Sequence, residues 1–211
     1  MEVCGFNVGP QDNWLITQLI NRTVNGTRLP QVSVMIEFEI RDQCVITSNC
    51  QPLFNTHIYE TSTENSAAAR NISNYRQVRR VSPAVTTGAR VNETVTYTFS
   101  TNQSSFYFAI QDETTCIVVT RMIVFYHICP NQIINLISHP ETIAPVLGQS
   151  TVVTASCVMN AEPVIGLAPR GLVCVTGGVW SHVPPNARCR CVDGYFHANE
   201  TCMRKYKNTR L

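Results

Sequence analysis

Residues 32–40 read VSVMIEFEI, and this stretch decides the fold class of the chain. Its apolar side chains fall at every second position: Val32, Val34, Ile36, Phe38 and Ile40. The positions between them carry Ser33, Met35, Glu37 and Glu39. Because successive side chains of a strand point to opposite faces, this period of two predicts a β-strand with one face in the core and the other toward water.

Other stretches repeat this behaviour on both sides of it. ETVTYTF at 93–99 alternates in the same way and places Val95, Tyr97 and Phe99 inward. Further β-rich runs occupy residues 14–20, 53–59, 75–81, 105–111 and 116–127, separated by turn-rich segments such as 61–73 and 100–104. Many short strands without a convincing long amphipathic helix predict an all-β chain, an antiparallel sandwich or jelly roll.

Cysteines and glycosylation sequons indicate the compartment. The 211-residue chain has ten cysteines, an even number that suits disulfides, and these persist mainly in oxidising compartments. It also has six Asn-X-Ser/Thr sequons, which are acceptors only in the secretory pathway. Their asparagines are Asn21, Asn25, Asn71, Asn92, Asn102 and Asn199. The two signals together predict a disulfide-bonded extracellular glycoprotein.

The composition changes after Cys129 and Pro130. Residues 140–185 hold six of the eleven prolines, and half of the cysteines fall within 157–202. So short a segment cannot bury a large apolar core, and disulfides commonly stabilise such segments. A compact disulfide-rich module is therefore expected after a boundary near residue 128.

Several functional classes are disfavoured by what the chain carries. A net charge of +2 argues against a nucleic-acid partner, and the basic C-terminal residues Arg204, Lys205, Lys207 and Arg210 are interpreted as a solvated linker. Only one residue separates Cys189 from Cys191, fewer than in a zinc knuckle, and the histidines are scattered. No hydrolase or metalloprotease motif occurs. We expect no cofactor, no metal and no catalysis by this chain.

Targeting segments are also missing from the sequence. Met1, Glu2, Val3 and Cys4 do not begin a signal peptide, and no stretch has the length of apolar sequence that a membrane helix needs. A secreted-type composition without an export signal predicts a fragment of a longer protein. Any membrane attachment would then run through a transmembrane segment absent from this chain.

Ordered motifs then point to a known family. They are V-C at 3–4, D-N-W-L at 12–15, E-F-E-I-R-D-Q-C at 37–44, F-Y-F-A-I-Q-D at 106–112, V-F-Y at 124–126, C-P at 129–130, H-P-E-T-I at 139–143, V-W at 179–180 and C-R-C at 189–191. As a set they resemble the ephrin-binding domain and the following cysteine-rich region of Eph receptor tyrosine kinases. The resemblance covers nearly the whole chain.

The resemblance implies a domain plan. Residues 1–128 would form a jelly-roll ephrin-binding domain that lacks its opening strands, residues 129–190 a sushi-like module, and residues 191–211 the start of an EGF-like module. Some features depart from the family pattern. Only three residues precede Cys4, Ile123 replaces an expected arginine while Arg121 lies two residues earlier on the same strand face, and the kinase signatures are missing.

Five disulfides follow from the resemblance: Cys4–Cys116, Cys44–Cys50, Cys129–Cys174, Cys157–Cys189 and Cys191–Cys202. The turn between Cys44 and Cys50 is shorter than is usual in the family. Trp180 fits the buried tryptophan that sushi modules pack beside their disulfides, although an ordinary half-exposed aromatic residue is the alternative.

The resemblance also implies a function. The chain would be the extracellular ligand-recognition region of a single-pass receptor at the plasma membrane, binding ephrins on neighbouring cells for cell–cell signalling, with possible receptor clustering. Cys4 and Cys116 would line the ligand channel, with Val3 and Val118 as its apolar wall. Arg41 would meet an acidic ephrin residue, and a solvated charge at a strand end is the alternative for this side chain.

Two other classes stay open at this point. One is a secreted jelly-roll lectin, because concave sheets with exposed aromatic side chains can hold sugars. The other is an adhesion or matrix protein in which sushi-like and EGF-like modules act as spacers. Neither accounts for the full set of motifs.

Overall fold

A computed structural model describes residues 2–3, 12–41, 54–82, 91–113, 116–167, 171–181 and 187–205, with only the backbone described at residues 2, 3, 40, 41, 91, 92 and 116. The chain divides into two compact units, Met1–Phe125 and Tyr126–Leu211. Strands dominate both units and all the described pairings are antiparallel, so the predicted all-β fold class is confirmed.

The first unit consists of eleven described strands and two short helical turns. The strands are β1 Glu2–Val3, β2 Asn13–Ile16, β3 Ile20–Asn21, β4 Thr23–Val24, β5 Thr27–Arg28, β6 Gln31–Arg41, β7 Phe54–Thr61, β8 Arg76–Val81, β9 Val91–Ser100, β10 Ser105–Asp112 and β11 Cys116–Phe125. Helix α1, Ser66–Ala69, and a 3₁₀ turn, Ile72–Asn74, lie between β7 and β8. The side chain of Asn65 caps α1 by accepting from the backbone N–H of Ala68 at 2.9 Å.

These strands form the two sheets of a jelly roll. One sheet has the order β1-β11-β6-β9, and the other has the order β2-β10-β7-β8 with β3 also paired to β10. Strands β4 and β5 form a separate hairpin. In the four-stranded sheet β6 is central, since it pairs with β11 on one side and β9 on the other.

Aromatic side chains join the inner faces of the two sheets. Phe38 of the four-stranded sheet meets Phe54 of the five-stranded sheet edge-on, with ring centroids 4.9 Å apart. Phe99 and Phe106 make a second such contact at 5.5 Å. The inward positions predicted from residues 32–38 are confirmed by their burial, and the inward placement of Tyr97 and Phe99 is confirmed as well. The side chain of Ile40 lies outside the described residues.

The other face of β6 is drier than its sequence predicts. Ser33 is buried, with 1% of its surface exposed, and its hydroxyl lies 2.7 Å from that of Thr98. The reason is that Ser33 sits between two neighbouring strands, with Thr98 and Phe125 directly opposite it. Glu37 and Glu39 are half-buried on the same face, so the expectation of a fully wet face was wrong.

A β-bulge changes the direction of side chains along β11. Val119 lies opposite Phe38, but the next paired residue is Arg121, opposite Glu37. Thr120 is the extra residue, and its hydroxyl donates to the carbonyl of Glu37 at 3.0 Å. After a bulge the alternation of faces restarts, so Arg121 points away from the core.

The second unit is built from short strands in five small sheets. The strands are β12 Ile128–Cys129, β13 Gln132–Ile134, β14 Ile137–His139, β15 Thr142–Ile143, β16 Ser150–Val153, β17 Ser156–Cys157, β18 Ala161–Pro163, β19 Leu172–Val175, β20 Val179–Trp180, β21 Cys189–Cys191, β22 Tyr195–Ala198 and β23 Thr201–Arg204. Their sheets are β12-β15, β13-β14-β17, β16-β19-β20, β18-β21 and β22-β23.

Disulfides supply much of the core of this unit. Cys129–Cys174, Cys157–Cys189 and Cys191–Cys202 are formed, with Cα–Cα separations of 5.9, 5.8 and 5.5 Å. Cys129 and Cys174 form one buried cluster with Ala144, and Cys189 and Cys202 belong to another with Leu136. Half-buried Trp180 packs against the first cluster, and its indole N–H donates to the carbonyl of Pro130 at 2.7 Å.

Within the described part of the chain, no helix is both long enough and apolar enough to span a lipid bilayer.

Candidate functional site

Backbone pairing brings most of the predicted ligand-binding positions to one end of the four-stranded sheet. Arg41 lies directly opposite Cys116, and Val3 lies opposite Ile117. Val118, the next position on β11, is opposite Glu2 on one side and Glu39 on the other. These positions therefore occupy three consecutive rungs of the ladder. Cys4 lies outside the described residues, as do the side chains of Val3, Arg41 and Cys116.

Val118 belongs to the outer surface of the sheet. Its neighbours Ile117 and Val119 are 0% and 7% exposed and pack into the core. Since side chains alternate along a strand, Val118 points to the opposite face, where it is half-buried beside Glu39. The end of this face thus offers an apolar side chain next to an acidic one.

Acidic groups dominate the adjoining surface. A cleft of about 230 Å³ is lined by Glu37, Phe38, Glu39, Glu93, Thr94 and Thr120. At this cleft Arg121 Nη1 lies 3.3 Å from Glu37 Oε1. Both partners are substantially exposed, and such pairs typically stabilise a fold by only about 0.2–1 kcal/mol.

The two disulfides predicted for the first unit involve cysteines outside the described residues. Cys4, Cys44 and Cys50 are outside the described residues, so the pairs Cys4–Cys116 and Cys44–Cys50 stay predictions. In the second unit the first cysteine is bonded to the third and the second to the fourth, as Cys129–Cys174 and Cys157–Cys189. The last two cysteines form the separate pair Cys191–Cys202. All three pairs are the predicted ones.

The described sequon asparagines lie in exposed turns and strand ends. Asn21, Asn25, Asn71, Asn102 and Asn199 are exposed. Asn21 Oδ1 accepts from the N–H of Thr23 at 2.8 Å, and Asn71 Oδ1 accepts from that of Ser73 at 3.1 Å. These short-range bonds are Asx turns, which tie the local chain without burying the amide. The side chain of Asn92 lies outside the described residues.

Sequence reasoning missed a polar network on the outer face of the five-stranded sheet. His57 Nε2 donates to Gln111 Oε1 at 2.9 Å, and Gln111 Nε2 donates to Asp12 Oδ1 at 2.8 Å. The indole of Trp14 donates to the same carboxylate oxygen at 2.7 Å, and its ring lies 4.6 Å from that of His57. The alternation of F-Y-F-A-I-Q-D places Gln111 on the face opposite the core, and this signal could have located the network.

Burial governs the titration of groups on this face. Desolvation lowers the pKa of His57, although its bond to Gln111 acts in the opposite direction. Tyr75 packs near Tyr59, with ring centroids 5.8 Å apart, and burial raises the pKa of Tyr75 to about 12. Both groups are therefore uncharged at neutral pH.

Two cavities accompany this sheet. A cleft of about 660 Å³ lies against its outer face and is lined by residues 16–19, Glu64, Ser66, Ala69, Arg70 and Tyr107. A smaller apolar cavity of about 260 Å³ is lined by Leu15, Ile16, Thr17, Phe108, Ile110, Val119 and Met122, which come from both sheets. Neither contains a residue that the sequence predicted to bind ligand.

Two buried histidines and six disulfide-bonded cysteines lie in the part of the chain that the structure describes. No cluster of three or more His, Cys, Asp or Glu side chains there is arranged to hold a metal ion. His57 and His139 lie in different units, and burial lowers the pKa of His139 as well. All six cysteines whose side chains are described are in disulfides, so they offer no thiolate nucleophile.

Fold and disulfides together define the class of the chain: an antiparallel jelly roll, with the candidate residues at one end of a sheet, followed by a disulfide-stabilised unit of the kind common in extracellular proteins. Comparison with known families agrees with this class. The family described as the ephrin receptor ligand binding domain matches residues 1–129. The chain belongs to this family.

Curated relatives match beyond that domain. Ephrin type-A receptor 3 of Danio rerio is 30% identical over 215 residues, which cover 95% of this chain and 21% of the relative. Ephrin type-B receptor 3 of Gallus gallus is 29% identical, covering 92% of this chain and 20% of the relative. Ephrin type-B receptor 1-A of Xenopus laevis is 31% identical, covering 94% and 21%. The chain therefore spans about a fifth of the length of these relatives.

Proposed function

We propose that this chain is the ligand-recognition part of an ephrin receptor and binds ephrins presented by neighbouring cells. Its family membership supports the ligand class. The observation that carries the location of the site is the pairing of Arg41 with Cys116, one rung from the pairing of Val3 with Ile117. This register concentrates the candidate residues at one end of β1, β11 and β6.

In the proposed complex an apolar ephrin segment packs on Val118 and the Cys4–Cys116 disulfide. Removing these groups from water supplies a favourable, non-directional contribution to binding. Val3 is paired with core-facing Ile117, so it is left out of this contact surface. Arg41 supplies the directional contact, because a guanidinium can bond a carboxylate through two parallel N–H groups.

Reversal of charge tests this assignment. Arg41→Glu in the full chain should weaken binding to immobilised ephrins by ten-fold or more, since hydrogen bonds to charged groups contribute about 1.5–3 kcal/mol. Arg80→Glu is the matched control, because exposed Arg80 lies on β8 of the other sheet. Melting followed by circular dichroism establishes that both variants fold. Unchanged affinity in a folded Arg41→Glu chain would overturn the proposed site.

A division of the second unit belongs to the same proposal. Residues 129–190 would be a sushi-like module and residues 191–211 the start of an EGF-like module, after a jelly roll at 1–128. The crossed order of Cys129–Cys174 and Cys157–Cys189 supports the first of these. Cys202 shares a buried cluster with Cys189, so the proposed EGF-like start would pack against the sushi-like module.

The cellular setting is also proposed. The whole protein would be a single-pass receptor tyrosine kinase with this chain on the extracellular side of the plasma membrane, where the chain binds and does not catalyse. Clustering of ligand-bound receptors is part of this proposal and rests on family membership. Disulfides and N-glycans at the six sequons suit that compartment, and peptide mapping by mass spectrometry under non-reducing conditions tests both.

A further inference from the structure

One sequon lies at the same end of the four-stranded sheet as the proposed ligand site. Asn92 is directly opposite Glu39, and Val91 is opposite Ile40. Arg41 follows on the same strand and pairs with Cys116 on the far side. Strands are about 5 Å apart and rise about 3.4 Å per residue, so the Cα of Asn92 lies roughly 8–9 Å from that of Arg41.

The sequon is in an accessible strand. β9 is the last strand in the described order β1-β11-β6-β9. Thr94, which supplies the hydroxyl of the sequon, is exposed, as are Thr96, Thr98 and Ser100, whereas Tyr97 and Phe99 between them are buried. Surface exposure of the sequon hydroxyl is compatible with a modified Asn92 in the folded domain.

Three other sequons lie at the opposite end of the first unit. Asn102 follows Ser100, which pairs with Gln31 at the start of β6. The backbone carbonyl of Asn102 accepts from Arg28 Nη1 at 2.9 Å, which places the β4–β5 hairpin, with Asn25, beside this turn. Asn21 pairs with Ser105 just beyond it. An 11-residue strand separates the two ends by roughly 35 Å.

We propose that N-glycosylation of Asn92 controls access to the ephrin-binding face, an inference that rests on the proposed function. A glycan is bulky and strongly hydrated. A glycan on Asn92 is attached to the strand next to Glu39, within about 9 Å of Arg41. It therefore covers the apolar surface that an ephrin would bury. Chains modified at Asn92 therefore bind ephrin at least ten-fold more weakly than unmodified chains, whereas glycans on Asn21, Asn25 and Asn102 leave binding unaffected.

The modification needs a lipid-linked oligosaccharide as the co-reactant. The amide nitrogen of Asn92 forms a bond to the anomeric carbon of the first sugar and loses one proton. The bond from that carbon to the diphosphate breaks at the same time, and the lipid diphosphate leaves with the electron pair. No oxidation or reduction is involved.

Sequon removal at the two ends tests the proposal. The full chain is produced in glycosylating cells, and occupancy of Asn92 is mapped by enzymatic deglycosylation in heavy-oxygen water with mass spectrometry. Asn92→Gln and Thr94→Ala remove the same sequon through different side chains, so agreement between them excludes a direct role of either residue. Asn102→Gln is the matched control at the far end.

We expect Asn92 to be occupied. Both variants that lack this sequon should bind immobilised ephrin at least ten-fold more tightly than the occupied chain. The Asn102→Gln control should bind with the same affinity as the occupied chain. An unmodified Asn92, or an occupied chain that binds as tightly as Asn92→Gln, would overturn the inference while leaving the proposed function intact. If neither variant nor the enzymatically deglycosylated chain binds any ephrin, the proposed function fails and the inference fails with it.

Discussion

The two units of this chain are stabilised by different interactions. In the first, aromatic and aliphatic side chains from two sheets meet in a core where Phe38, Phe106, Phe108 and Ile58 are at most 1% exposed. In the second, cysteines supply two of the three buried residues of one cluster and two of the five of the other, and short strands surround them. Small units have too much surface for their volume, so covalent bonds replace apolar burial there.

Surface composition follows the same division. Among the described residues, the exposed large apolar side chains lie in the second unit, for example Leu147, Met159 and Ile165, with Ile72 of the first unit as the exception. A jelly roll with two facing sheets can place its large apolar residues inside, while the small sheets of the second unit cannot. A tryptophan in each unit, Trp14 and Trp180, lets the two be followed separately by fluorescence.

The largest loss of stability is expected when a disulfide is removed from the second unit. Replacing Cys129 and Cys174 together by serine removes a loop closure of 45 residues, which the chain-entropy model values at about 4 kcal/mol. The emission of Trp180 should then report an unfolded second unit, measured in a Trp14→Phe background. Native Trp180 emission and an unchanged denaturation midpoint would contradict the view that disulfides carry this unit.

The converse change addresses the aromatic core of the first unit. Phe106→Ala should cost about 3–5 kcal/mol, because it leaves a cavity among packed rings. Urea denaturation followed by Trp14 emission in a Trp180→Phe background measures this loss. Phe196→Ala, at a position 44% exposed in the second unit, is the matched control and should cost less than about 1 kcal/mol. Equal losses from both variants would remove the contrast between the units.

Acid should weaken both units through one buried histidine in each. Burial lowers the pKa of His57 and of His139 in the folded chain. The unfolded chain therefore binds more protons below its histidine pKa of about 6.5, and stability must fall as pH drops through that value toward the folded pKa. His57→Gln should flatten this dependence in the Trp14 signal alone, and His139→Gln in the Trp180 signal alone. If either variant lost stability more steeply with falling pH than the unchanged chain, the predicted direction of the histidine effect would be refuted.

The smallest expected effect is the coupling energy of surface ion pairs, which should be similar in the two units. Arg121 and Glu37 form an exposed cross-strand ion pair in the first unit, and Arg190 and Glu162 form another in the second. Double-mutant cycles should give a coupling energy of about 0.2–1 kcal/mol for each pair, reduced by salt. A coupling several times larger in one unit would show that surface charge, too, distinguishes them.

Much of the first unit could be predicted from alternation of side chains. The inward residues of β6 and β9 follow from a period of two, and each predicted β-rich run overlaps a strand. What alternation cannot show is context. Ser33 is polar and was expected to be wet, but its two neighbouring strands bury it.

The candidate site could be predicted less completely. The resemblance supplied Arg41, Val3, Cys116 and Val118, but only strand pairing shows that these positions share three rungs of one sheet end. The bulge at Thr120 and the network around His57 arise from contacts between residues far apart in sequence. A single sequence carries no register between strands, so such features need the structure.

Hydrogen–deuterium exchange of the full chain with and without a bound ephrin tests the central claim most directly, since protection reports which backbone amides the ligand covers. The account predicts added protection in peptides containing β1, the end of β6 near Arg41 and the start of β11 near Cys116, with little change in β7, β8 and β10. Protection confined to the five-stranded sheet or to the second unit would contradict it.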